Sequence, residues 1–182
     1  MKTALLLIDI QNDYFEGGTM TLVNADHASE NARLLLETFR NNNLSVIHIQ
    51  HIATKLGATF FLPDTAGADI HKNVQPTANE KVIIKHFPNS FRETGLMSFL
   101  QEKEITDLVI CGMMTHMCID ATTRAAKDFG YNCILIGDAC ATRNLKINGE
   151  KVKAADVHNA FLAALNATYA TVTITQDYLT LK

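Results

Sequence analysis

The 182-residue chain has no Cys-x-x-Cys pair, no basic run longer than two residues and no apolar stretch of membrane-spanning length. Each absence removes a class of function. Four cysteines at 111, 118, 133 and 140, two of them inside apolar strand-like runs, do not make a disulfide framework and imply a reducing compartment. A net charge of −3 without a basic cluster argues against a nucleic-acid partner. The apolar start "MKTALLLIDIQ" is cut at Asp9, and no small-residue cleavage site follows, so it does not read as a signal peptide. With no membrane span either, the expectation is a soluble, cytoplasmic protein. Repeats, linkers and low-complexity segments are also missing. What remains, at 47% hydrophobic and 19% charged residues, is one globular domain over residues 1–182.

Apolar runs alternate with helical spacings along this domain. "TALLLI" at 3–8 is nearly continuous, as in a strand covered on both faces. Ala28, Ala32, Leu35, Leu36 and Phe39 predict a helix over 27–41, and residues 45–50 alternate as a second strand. Residues 51–79 lose the pattern: Gly57, Pro63, Gly67 and Pro76 punctuate them around an apolar patch at Phe60, Phe61 and Leu62. A loop this long reads as a lid or pocket wall. Strands are expected at 81–85, 107–112, 132–137 and 170–175, with helices around Leu96–Leu100, at 118–129 and at 152–168. The polar stretch 141–151 reads as a surface loop. Alternation of this kind implies right-handed crossovers and a three-layer α/β/α fold with a parallel, Rossmann-like sheet of about six strands. The segment "DIQNDYFEGG" after the first strand lacks the G-x-G-x-x-G fingerprint, so no dinucleotide or other cofactor is expected.

Chemistry concentrates in "LVICGMMTHMCIDATT" at 108–123, an apolar strand, a break at Gly112 and a helix beginning near Cys118. A cysteine at a helix N-terminus has its thiolate favoured by unpaired N–H groups and the helix dipole, and those groups can also hold an oxyanion. By position alone Cys118 is either a nucleophile or a core cysteine under the helix. Asp9 and Lys85 each close an apolar strand, and the carboxyl ends of parallel strands share one edge. Lys85 would favour a thiolate, and Asp9 could take the thiol proton and return it to a leaving amine.

The blocks "ALLLIDIQNDYF", "VIIKHFPNSFRETGL", "LVICGMMTHMCIDATTRAAKDFGY" and "ILIGDACAT" resemble, in order, the signatures of the isochorismatase-like cysteine hydrolases. The resemblance covers nearly the whole domain. It implies a catalytic triad of Asp9, Lys85 and Cys118, a cis peptide between Met113 and Met114, and an oxyanion hole from the N–H groups of Met114 and Cys118. It also implies attack of Cys118 on an amide carbonyl, a thioester intermediate and its hydrolysis, and a homo-oligomeric assembly. Presence of the cysteine favours amide cleavage over the vinyl-ether hydrolysis of isochorismatases proper, which often lack it; a catalytically silent member is the remaining alternative. The Asp-x-His zinc motif of nicotinamidases is replaced here by "HIQHIATKLGATFF", so no metal is expected. His48 and His51 should face opposite sides of their strand, with His51 on the pocket wall. Phe15, Phe61, Phe87 and Phe91 are candidate walls of an apolar slot, or plain core aromatics. His116 either orients substrate or caps the helix. Cys111, Cys133 and Cys140 read as structural, and Asp138 as a loop tether. The substrate, a small molecule, is left unnamed.

Overall fold

Strand β1 (Thr3–Ile8) shows why its sequence is apolar throughout: Leu5 and Leu7 enter one core, while Ala4, Leu6 and Ile8 enter a second on the opposite face. The computed structural model describes residues 2–180. Strands β2 (Ser45–His51) and β3 (Lys81–Lys85) follow helix α1 (Ala25–Asn41). Next come α2 (Leu96–Glu102), β4 (Asp107–Met113), α3 (Asp120–Asp128) and β5 (Asn132–Ala141). The chain ends in β6 (Leu145–Ile147), β7 (Glu150–Val152), α4 (Ala154–Asn166), β8 (Thr171–Thr173) and α5 (Thr175–Thr180). Six strands form one parallel sheet in the order β3-β2-β1-β4-β5-β8, the doubly wound arrangement expected from the alternating pattern.

The two cores belong to the two faces. α1 buries Ala28, Ala32, Leu35, Leu36 and Phe39, the predicted stripe, against Leu5, Leu7 and Val109, and α5 adds Tyr178. Leu96 and Leu100 of α2, Ala126 of α3 and Leu165 of α4 pack on Ile47, Leu108 and Ile110 from the other side. Strands β1 and β4 approach so closely that Gly112, at φ +130°, has no room for a Cβ, which would collide with Ile8 O. These two strands lie where the winding reverses, and their carboxyl ends frame the crevice of a doubly wound sheet.

Four local expectations need correction. Residues 141–151 are not an irregular loop: β5 runs on to Ala141, and β6 and β7 form an antiparallel hairpin. Its turn is Asn148-Gly149, at φ 51° and 85°, the left-handed pair that suits a tight hairpin. Asp138 therefore lies inside β5, where its Oδ1 accepts from the Thr175 N–H and hydroxyl and so anchors the start of α5. The last strand stops at Thr173, because residues from Thr175 turn into α5. Finally, the turn that leads into α3 starts at Thr115 rather than near Cys118, with a wide π-type turn over Thr115–Ile119. None of the described helices is long and apolar enough to cross a membrane.

Candidate active site

Asp9 follows β1 directly and adopts a left-handed backbone (φ 52°), with its N–H donating to Ile49 O at 3.0 Å. An aspartate tolerates that conformation better than most residues, and it turns the side chain off the strand direction. Lys85 closes β3. Cys118 sits in the Thr115–Ile119 turn after β4, where Met117 and Ile119 donate their N–H groups to Met114 O. Three strand ends thus bring three side chains into one buried cluster.

The Lys85 ammonium is its centre. Nζ lies 2.7 Å from Asp9 Oδ2 and donates to Cys118 Sγ at 3.2 Å, to Phe87 O at 3.1 Å and to His51 Nδ1 at 3.0 Å. Asp9 and Lys85 are fully buried and Cys118 is 4% exposed. Burial alone would push the Lys85 ammonium down, but the facing charges of Asp9 and Cys118 outweigh it and hold its pKa above the ordinary lysine value. Burial pushes the Cys118 thiol up, Asp9 pushes it further, and Lys85 offsets only part of this. The helix terminus therefore does not yield a resting thiolate, and Cys118 waits as a neutral thiol. Asp9 Oδ2 is held by the Lys85 ammonium alone, since no other donor among the described residues is aligned on either carboxylate oxygen. The Met113–Met114 peptide between β4 and this turn is cis.

His51 completes the cluster as its one partly open member, with 18% of its side chain exposed. Burial, followed by the opposing influences of Asp9 and Lys85, brings its pKa down to about 4, so the ring is neutral. Since Nδ1 accepts from Lys85, the ring proton belongs on Nε2. Asp9, His51 and Cys118 present ligand atoms within 4.8 Å of one another. They could hold a metal by type, but Lys85 Nζ already fills the space between them with a fixed positive charge.

Comparison with known proteins fits this geometry. The isochorismatase-domain family model matches residues 3–177. The chain belongs to the isochorismatase family. Among members of this hydrolase family, it is 53% identical to the uncharacterized isochorismatase family protein YddQ of Bacillus subtilis, over 98% of this chain and 99% of that one. Streptothricin hydrolase of Streptomyces noursei is 33% identical over 142 residues, 78% of this chain and 50% of that protein. The crystal structure of a putative isochorismatase hydrolase from Oleispira antarctica superposes with a TM-score of 0.94 at 48% identity, covering 98% and 96% of the two chains.

The remaining candidates divide around the isochorismatase-type cluster. Phe61, fully buried, lies 5.8 Å from the His51 ring. Phe87 contributes its carbonyl to Lys85 and stacks its ring under Arg92. Phe15 is stacked on His71 at 3.7 Å, and Phe91 packs on Phe129 and Tyr131 in the α3-side core. His116 turns to Thr142 Oγ1 (2.6 Å) and Phe161. His48 leaves the other face of β2 and reaches Glu80 at 3.0 Å. A cleft of about 670 Å³ bordered by Arg40, Leu44, Glu80, Lys81 and Phe99 lies at the amino edge of the sheet, away from the cluster.

Sequence reasoning missed two polar residues that shape this site. Gln11 donates through Nε2 to His51 O and Ala68 O while its Oε1 accepts from the His51 N–H, pinning the end of β2. Asp13 accepts from the Phe61 N–H at 2.6 Å and from Thr19, and so straps the 51–79 segment over the strand ends. Gly67 has to be a glycine because a Cβ there would strike the Asp13 carboxylate. The only sequence signal was their position in the polar stretch just after Asp9.

Proposed function

We propose that this hydrolase cleaves a small-molecule amide through a thioester on Cys118. The observation that carries the reading is the buried Lys85 ammonium, within 3.2 Å of both the Asp9 carboxylate and the Cys118 sulfur. It makes proton exchange between the two acids electrostatically tolerable inside a dry site. The Cys118 proton passes to Asp9 as sulfur attacks the carbonyl carbon. The N–H groups of Met114 and Cys118 receive the oxyanion. Protonated Asp9 then gives its proton to the departing nitrogen as the C–N bond breaks, leaving the acyl group on sulfur. Water attacks the thioester carbonyl, loses a proton to Asp9, and the acid leaves as sulfur regains a proton. Lys85 keeps its charge throughout and compensates whichever of Asp9 or Cys118 is negative. Holding Cys118 as a thiol at rest suits this order, since the charge appears on sulfur only when a substrate is there to receive it.

The test is ammonia or amine release from a panel of small amides, nicotinamide included, by wild type and Cys118→Ala. Turnover should vanish in the variant, and hydroxylamine should trap the acyl group from wild type as a hydroxamate. Turnover that survives Cys118→Ala would overturn the thioester route in favour of acid catalysis by Asp9.

A further inference from the structure

The wide turn that carries Cys118 is loosely wound, with Met117 and Ile119 both donating to the one Met114 carbonyl at 3.0 and 3.3 Å. Its orientation therefore depends on anchors outside it. Thr115 opens the turn and is fully buried, one residue past Met114, whose N–H receives the oxyanion in the proposed thioester route. Met113 is the last β4 residue in register with β5, paired with Ala141. Beyond it the ladder ends and the Thr115 side chain takes over. Oγ1 donates to Ala141 O at 3.2 Å and shares a second hydrogen bond, at 2.9 Å, with Nδ1 of His158 in α4. An apolar pair such as valine and leucine could join α4 to the turn by packing, at little net cost. What the polar pair adds is direction, because a hydrogen bond weakens steeply off its axis and apolar contact has no axis. Burial lowers the His158 pKa, with the Gly137 carbonyl opposing, so the ring is neutral near pH 7. His158 shares no hydrogen bond with Asp9, Lys85 or Cys118, so its hold on the chemistry passes through Thr115.

We infer that His158 is a positioning residue, which through Thr115 fixes the angle at which the Met114 and Cys118 N–H groups meet the substrate oxygen. The inference rests on Cys118 being the nucleophile that is acylated. It confines the demand to acyl transfer, where an oxyanion develops and a misplacement of about 1 Å can cost about a hundredfold. Displacement of a halide by the same sulfur develops no oxyanion and makes no such demand.

The experiment follows Cys118 by mass spectrometry in two reactions. With p-nitrophenyl acetate, sulfur bonds to the carbonyl carbon, p-nitrophenolate leaves and the thiol proton passes to Asp9. With iodoacetamide, sulfur bonds to the methylene carbon and iodide leaves. His158→Leu should slow acetylation by about tenfold to a hundredfold and leave alkylation unchanged. Thr115→Val, similar in shape, should do the same whatever leucine does to the packing of α4. The double variant should lose no more than either single one, because both remove the same bond. His158→Asn places a side-chain amide near the former Nδ1 and should recover most of the acetylation rate. Slowing of both reactions together, slowing of neither, or losses that add in the double variant would overturn the role of His158 while sparing Cys118. A wild-type Cys118 that takes no acetyl group would overturn the thioester reading, and the positioning role with it.

Discussion

At the scale of single residues, the cluster is a set of mutual dependencies. Lys85 and Asp9 are both fully buried and 2.7 Å apart, so each is the other's replacement for water. Lys85→Met should leave Asp9 as an uncompensated buried charge and cost about 3–5 kcal/mol. For a chain of this size that is a fall of roughly 6–20 °C in melting temperature. The double variant Asp9→Asn/Lys85→Met removes both charges and should recover a substantial part of the loss, which a double-mutant cycle by thermal or urea unfolding would measure. Simple additivity of the two single losses would contradict the pairing. Both variants should be inactive. Asp9 and Lys85 were legible in the sequence because a charged side chain at the end of an apolar run is visible as such, whereas Cys118, five residues past its strand, was singled out by the resemblance of its block. Gln11 and Asp13 were not, since what distinguishes them is contact with residues about 40 to 60 positions away, and no local pattern encodes that.

At the scale of elements, the decisive fit is between β1 and β4. Gly112→Ala should force these strands apart at Ile8, adding backbone strain at φ +130° to a collision with Ile8 O. We expect a loss of about 3 kcal/mol or more from overpacking and strain together. We expect loss of activity as well, because Asp9 follows Ile8 immediately. Gly149→Ala is the matched control. It has the same sign of φ (+85°) and nothing within 4 Å of the new Cβ, so only the left-handed penalty of about 1–2 kcal/mol applies. Equal destabilisation of the two by urea titration would show that the close approach is unimportant. The longer elements announced themselves: the stripe of α1 and the continuous run of β1 are properties of many residues at once. Strands of three residues, as in β6 and β7, are too short for an alternation to register, and their one signal was Asn148-Gly149. The wide turn at Thr115–Ile119 runs straight into α3 without a glycine or proline, so nothing local marks its looser winding.

At the scale of the whole molecule, acidity should loosen the fold in two stages. His51 has a pKa of about 4 when folded against 6.5 as a model value, so the unfolded chain takes up that proton first as pH falls. Stability from neutral His51 is therefore complete above about pH 6.5 and lost on the way to about pH 4, by up to roughly 1.4 kcal/mol per pH unit. Burial also lowers His48, and each such histidine steepens the same limb. Glu80 follows below it. Burial pushes its carboxyl up, but hydrogen bonds from Arg40, Thr77 and His48 prevail and bring it to about 2, so its contribution is lost between about pH 4.5 and 2. His51→Asn should flatten the limb between pH 6.5 and 4 by about one proton's worth and leave the lower limb in place, as read from urea unfolding across pH. An unchanged upper limb would mean that His51 is not held neutral. Glu80 is also what joins layers here, taking both Arg40 of α1 and His48 of β2 just before β3 begins.

The crowding around Lys85 also bears on how the site meets solvent. An ammonium has three hydrogens, and this one has four acceptor atoms around it, one from a carboxylate, one from an imidazole, one from a thiol and one from a main-chain carbonyl. No single rotation serves all four, and since all four lie inside the cluster the hydrogens point inward whichever three are served. Deuterium from the bulk should reach these hydrogens later than those of any lysine at the surface. A planar guanidinium, with its fork of donors, does not match four acceptors set around one nitrogen, so even arginine would be a poor replacement at this position.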